Sequence, residues 1–67
     1  MNDFIERLIL EEKELGERIA RLNEALNKDG FAKKVGDYQF ELLSLQHSLM
    51  IAYRRILNIR IQDLKKQ

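Results

Sequence analysis

Residues 40–64, FELLSLQHSLMIAYRRILNIRIQDL, decide the fold of this chain. Apolar side chains recur in this stretch at the spacings of an α-helix, and they fall on more than one face. Two neighbouring stripes with a seven-residue repeat run along it. Stripe one comprises Leu42, Leu45, Leu49, Ala52, Ile56 and Ile59, and stripe two comprises Leu43, Met50, Leu57 and Leu64. One partner helix covers only one stripe, so the other needs a further partner.

The first part of the chain carries a narrower apolar seam. Its heptad positions hold Ile5, Leu8, Leu15, Ile19, Leu22 and Leu26. This pattern predicts a helix over about 4–26 that packs along a single partner. Glu12 stands where the seam predicts an apolar side chain. It either fixes the register, faces water or pairs with an arginine of the second helix, and the alternative is a ligand-contacting or catalytic carboxylate.

A helix-stop signal follows the first seam. Residues 27–30, NKDG, include Asn and Gly, which adopt the left-handed conformation that closes a helix. We expect a connector over about 27–36, with a helical turn that places Phe31 and Val35 on the core. Asp37 is the expected N-cap of the next helix.

The expected fold class is all-α. The second helix is predicted over about 38–65, and a short connector makes the two helices antiparallel neighbours. Residues 1–67 are therefore predicted to form one domain, an antiparallel two-helix hairpin that assembles into a homo-oligomeric helical bundle. A chain of 67 residues without cysteine has no disulfides, which leaves self-association as its stabiliser. We assign the oligomer interface, in a dimer or a multiple of dimers, to stripe two: Leu43, Met50, Leu57 and Leu64.

Charge is divided unevenly between the two halves. Residues 1–26 contain seven acids and four bases, a net charge of −3, and residues 27–67 contain four acids and eight bases, a net charge of +4. This asymmetry suits packing of acidic on basic surfaces, or a small anionic ligand, and is too weak for duplex DNA. The N-terminus does not resemble a secretory signal, and the longest uncharged run, residues 42–53, is far shorter than the roughly 20 residues of a membrane span. We expect a soluble protein with no membrane partner.

Residues suited to catalysis are sparse. His47 is the only histidine, and its neighbours Ser44 and Ser48 come without an orienting acid at a defined spacing. We interpret His47 as a rim or interface residue and expect no enzyme. No metal site or cofactor is expected either, because the chain has no cysteine and Ser44 replaces the glutamate of a Glu-x-x-His metal motif.

A basic and aromatic cluster is the best candidate for a ligand site. The arginine fork matches phosphate or carboxylate, and a tyrosine ring stacks on a base. Alternatively, the arginines lie over apolar surface and pair with the acid-rich first helix. The candidate ligand-binding residues are Tyr53, Arg54, Arg55 and Arg60 on the second helix, Lys33, Lys34 and Phe31 of the connector at the edge of the pocket, and His47.

Several segments together resemble one known family. These are Met1-Asn2-Asp3-Phe4, Glu6-Arg7-Leu8, Glu11-Glu12-Lys13-Glu14-Leu15, Ile19, Leu42-Leu43, Gln46, Met50, Tyr53, Ile56-Leu57 and Arg60-Ile61. They resemble small helical-hairpin proteins encoded by bacteriophages, including crAss-like phages. The resemblance implies a non-enzymatic accessory protein in the cytoplasm of an infected bacterium.

The resemblance also implies a direction for function. Several small oligomeric phage proteins act as sponges for nucleotide immune signals, such as cyclic oligonucleotides or cyclic ADP-ribose derivatives. By analogy, we expect a counter-defence sponge with pockets at subunit interfaces. Two alternatives stay open: a helical module that inhibits a host protein through its spare stripe, and a purely structural phage coiled coil.

Overall fold

The computed structural model describes residues 3–66, and almost all of them are helical. Helix α1 spans Asp3–Leu26, the short helix α2 spans Phe31–Val35 and helix α3 spans Asp37–Lys65. There is no strand among these residues, so the predicted all-α class is confirmed. The Met1-Asn2 portion of the family-like opening lies outside the described residues.

The core lies where α1 packs along α3. Its buried members are Leu8 and Leu15 of α1 with Leu57 and Ile61 of α3, and Leu57 is fully buried. The contacts run in opposite chain directions, because Glu12 meets Asn58 while the later residue Ile19 shares a cleft with the earlier residue Ile51. The molecule is a rod of 49 × 14 × 13 Å, and the 29 residues of α3, at about 1.5 Å each, span about 44 Å of its long dimension.

The structure corrects the assignment of stripe two to a neighbouring copy. Met50 and Leu64 pack against the core that contains Leu57, and Leu43 is half-buried. Stripe two therefore faces α1 of the same chain. The exposed stripe is stripe one, in which Leu45, Leu49, Ile56 and Ile59 are each more than half exposed and Leu42 is 40 % exposed.

Two glycines shape the connector around α2. Gly30 has φ +81° and Gly36 has φ +93°, in the region of backbone conformation that favours glycine. Gly36, rather than the expected Asp37, is the residue that precedes α3. Asp37 instead lies in the first turn, where a carboxylate interacts favourably with the helix dipole.

The connector is fastened to α3 through an aromatic pair. Phe31 and Phe40 meet edge to face, with ring centroids 6.4 Å apart and planes at 60°. Phe31 and Val35 are both half-buried. Aromatic pairs in this geometry contribute about 0.5–1.5 kcal/mol beyond the area they bury, so this contact fixes α2 against the start of α3.

Candidate functional site

Arg54 lies on the side of α3 that faces α1 and is paired with an acid there. Its Nε donates to Oε2 of Glu12 at 2.7 Å, and Nδ2 of Asn58 donates to the same oxygen at 3.1 Å. The Glu12 side chain is only 16 % exposed. Of the roles open to Glu12 from sequence, pairing with an arginine of the second long helix is therefore the one that the structure shows. Glu12 of the same chain therefore largely neutralises the positive charge of Arg54.

Gly16 of α1 leaves room for this arginine. A Cβ atom at position 16 would lie 2.5 Å from Cζ of Arg54 and 2.6 Å from Nη2, which is closer than real Cβ contacts. The guanidinium therefore occupies space that only glycine leaves open on α1. Gly16 allows Arg54 to lie flat against α1 while it pairs with Glu12.

Tyr53 also makes a contact with α1. Its hydroxyl donates to the carboxylate of Glu11. This hydrogen bond raises the pKa of Tyr53 above its ordinary value of 10.0, because the carboxylate favours the protonated phenol; desolvation and the charge of Glu11 act in the same direction and Arg60 opposes them. The hydroxyl is thus engaged, while Tyr53 remains 46 % exposed and its ring is accessible for stacking.

Arg55 and Arg60 are the exposed arginines of the predicted cluster, and neither forms an ion pair within residues 3–66. Arg55 borders a cleft of about 420 Å³, which we call the arginine cleft. Its lining combines apolar side chains with polar groups at the edge: Ile19, Ile51, Arg54, Arg55, Asn58 and Ile59. The cleft therefore combines the guanidinium of Arg55, unpaired within residues 3–66, with apolar isoleucine side chains.

The connector residues line a different cleft. Phe31 and Lys34 border a space of about 570 Å³, which we call the connector cleft, and Lys33 is exposed but outside its lining. Phe31 contacts Phe40, and Tyr53 lies 13 positions after Phe40 on α3, which is about 20 Å along the helix. Within one chain, therefore, no connector residue borders the arginine cleft.

Two basic residues of the connector cleft, Arg21 and Lys28, were not predicted from the sequence. The available signal was that Arg21 and Lys28 lie near Lys33 and Lys34 along the chain. That nearness indicates a binding site only once α2 folds back toward the end of α1. The full lining is Arg21, Glu24, Ala25, Lys28, Phe31 and Lys34.

His47 lies apart from both clefts. It is half-buried, and its Nε2 is buried with no hydrogen-bond partner in the part of the chain that the structure describes. The neighbouring hydroxyls of Ser44 and Ser48 donate instead to backbone carbonyls one turn earlier, at 3.0 and 3.4 Å. His47 therefore does not line the arginine cleft, and residues 3–66 contain no serine–histidine hydrogen bond.

Residues 3–66 contain neither a cluster of metal ligands nor a membrane-spanning helix. Within that range, no group of three or more His, Cys, Asp or Glu side chains is placed to hold a metal ion. No helix in the same range combines the length and apolarity needed to cross a bilayer.

Comparison with known proteins identifies the family. The protein-family model described as Sequestin matches residues 2–63, nearly the whole chain. No curated protein and no solved structure matches the chain. The chain belongs to the Sequestin family, whose name indicates a sequestering, binding role and fits the small phage-type protein that the resemblance implied.

Proposed function

We propose that this Sequestin-family chain is a non-catalytic phage counter-defence protein that sequesters a nucleotide immune signal in the cytoplasm of the infected host. The signal is of the cyclic oligonucleotide or cyclic ADP-ribose type, and it binds in pockets at the subunit interfaces of a homo-oligomer. One observation carries this proposal: the arginine cleft opens beside the exposed apolar stripe one of α3. Ile59 belongs to both surfaces.

Self-assembly follows from stripe one. From Leu42 to Ile59 it extends about 26 Å along α3 at 1.5 Å per residue, and its side chains lack cover from α1. Soluble monomers seldom leave a contiguous apolar surface of this kind in water. A second copy is a suitable occupant, because the −3 charge of residues 1–26 complements the +4 charge of residues 27–67. The helical hairpin is then the unit of assembly.

The arginine cleft supplies the chemistry of recognition. Arg55 offers a planar fork for a phosphate, since no acid in residues 3–66 pairs with it, and the isoleucines beside it offer apolar surface to a base or ribose. A volume of about 420 Å³ is within the range of small-ligand sites. A second copy seated on stripe one closes the open side, and a ligand enclosed in this way dissociates slowly.

Native mass spectrometry tests both parts of the proposal. The purified protein is measured alone and with a panel of cyclic oligonucleotides and ADP-ribose derivatives, and we expect a discrete oligomer that retains one ligand at fixed stoichiometry. Arg55→Ala should keep the oligomer and lose the bound mass, whereas Arg7→Ala, an exposed arginine at the start of α1, should retain both. A protein that binds none of the panel, or an Arg55→Ala variant that binds like the parent, would refute the proposed site.

The exposed stripe also bears on the alternative of a host-protein inhibitor. An amphipathic host helix recognises an apolar surface through the same spacings as a second copy. In stripe two, Leu57, Met50 and Leu64 belong to or pack against the core shared with α1, so stripe one is the spare stripe that remains for such a partner. A monomeric, ligand-free protein in the mass spectrum would favour this alternative over the sponge.

A further inference from the structure

The lining of the connector cleft carries more positive than negative charge. Arg21, Lys28 and Lys34 border it together with a single acid, Glu24, which leaves a net charge of +2. None of these four side chains forms an ion pair within residues 3–66. Cations gathered without compensation repel one another, and an anion that enters the cleft relieves that repulsion.

Backbone hydrogen bonds order the segments that carry Lys28 and Lys34. Lys28 N donates to Ala25 O at 3.2 Å, Phe31 N donates to Lys28 O at 3.1 Å, and Lys34 N donates to Gly30 O at 3.0 Å. The left-handed conformation of Gly30 turns the chain between α1 and α2. Lys28 and Lys34 therefore reach the cleft from two consecutive, hydrogen-bonded segments.

The cleft also has an aromatic wall. The ring of Phe31 is fixed by its edge-to-face contact with Phe40, and Ala25 adds a small apolar side chain to the lining. A fixed ring supports stacking of a flat heterocycle, which contributes about 1–3 kcal/mol per base in single-stranded nucleic-acid complexes. The carboxylate of Glu24 can accept a hydrogen bond from a ribose hydroxyl.

We propose that the connector cleft is a second, independent binding site for a free nucleoside monophosphate. Arg21, Lys28 and Lys34 contact the phosphate, whose two negative charges match the net charge of the cleft, and Phe31 stacks on the base. All of its lining residues come from one chain, and none is shared with the arginine cleft. The site therefore exists whether or not stripe one is covered by a second copy.

Isothermal titration calorimetry on the full chain tests this site with AMP, adenosine and inorganic phosphate as probes. AMP should bind more tightly than either fragment, and its affinity should fall as salt is raised because the contacts are ionic. The double variant Arg21→Gln/Lys34→Gln should bind AMP at least about tenfold more weakly, since it removes two charge-assisted contacts. Lys13→Gln, which removes an exposed charge elsewhere on α1, is the matched control and should bind like the parent.

A second variant separates stacking from charge. Phe31→Leu should weaken AMP binding while leaving the affinity for inorganic phosphate unchanged, and far-UV circular dichroism checks that the helices are intact. The proposal is overturned if the parent does not bind AMP, or if Arg21→Gln/Lys34→Gln binds it as tightly as the parent does. The proposal for the arginine cleft is tested by a different result. It fails if Arg55→Ala binds the nucleotide signal as tightly as the parent does.

Discussion

Replacing Gly16 by alanine sets two effects of known sign against each other. Alanine is favoured over glycine inside a helix by about 1 kcal/mol. At position 16, however, the new Cβ would lie 2.5 Å from Cζ, 2.6 Å from Nη2 and 2.9 Å from Nη1 of Arg54. The guanidinium is the end of a flexible side chain and moves away, but in doing so it gives up the 2.7 Å contact of its Nε with Glu12.

The size of that loss follows from how exposed the pair is. A hydrogen bond to a charged group contributes about 1.5–3 kcal/mol when well buried. The Arg54 side chain is 43 % exposed, so water screens the pair and reduces its contribution to about 1 kcal/mol. Gly16→Ala should therefore change the free energy of unfolding by less than about 0.5 kcal/mol, since the helix gain and the lost pair nearly cancel.

A double-mutant cycle makes the cancellation visible. In an Arg54→Ala background the obstacle is gone, and Gly16→Ala should stabilise the protein by its full helix preference of about 1 kcal/mol. The four proteins are unfolded in urea and followed by far-UV circular dichroism at one fixed chain concentration, because self-association shifts stability by mass action. The coupling should shrink at high salt.

The control for this cycle is Ala20→Gly, at an exposed position of the same helix. It should cost about 1 kcal/mol in either background and show no coupling to Arg54. The reasoning is refuted if Gly16→Ala stabilises the parent and the Arg54→Ala protein equally, since the guanidinium then does not occupy the space over Gly16.

Three further predictions follow from the core, the connector and the Tyr53 contact. Leu57→Ala should lower the free energy of unfolding by about 2–5 kcal/mol because Leu57 is fully buried. Leu49 is 70 % exposed, so Leu49→Ala should keep the helical circular dichroism and instead weaken self-association, measured by sedimentation velocity. Gly36→Ala should cost about 1–3 kcal/mol in urea unfolding because φ +93° with ψ 153° is strained for any residue with a Cβ, and an unchanged midpoint would contradict that backbone conformation. Phenolate absorbance should show Tyr53 ionising above pH 10.0, and its pKa should move toward 10.0 in Glu11→Gln. The stabilisation that comes with the raised pKa is present below pH 10.0 and is lost as pH rises through the raised value. A Tyr53 titration that Glu11→Gln does not change would rule the contact out.

The heptad pattern was sufficient to predict helices, but it did not determine which face of α3 packs on α1. Both stripes are apolar at the same period, so Leu57 and Leu49 are equivalent in sequence. The structure buries the first and exposes the second. Their difference depends on how the chain turns through Gly30 and Gly36, whose positive φ values cannot be read from spacing.

The candidate site was predictable only in part, for a related reason. Glu12 and Arg54 are 42 positions apart, and only the packing of α1 on α3 makes them partners, although the sequence allowed an arginine partner for Glu12. The connector cleft was harder to find. Arg21 and Lys28 are ordinary surface charges until α2 places Lys34 on the same cleft.

Recovery of the ligand after binding tests the proposed sequestration most directly. The protein, in molar excess, is mixed with the nucleotide that it retains in native mass spectrometry, free ligand is removed by ultrafiltration, and the retained protein is denatured to release what it held. We predict a filtrate depleted of the nucleotide and release of that nucleotide with unchanged mass. A filtrate that keeps its full ligand concentration, or release of a product of different mass, would contradict sequestration without catalysis.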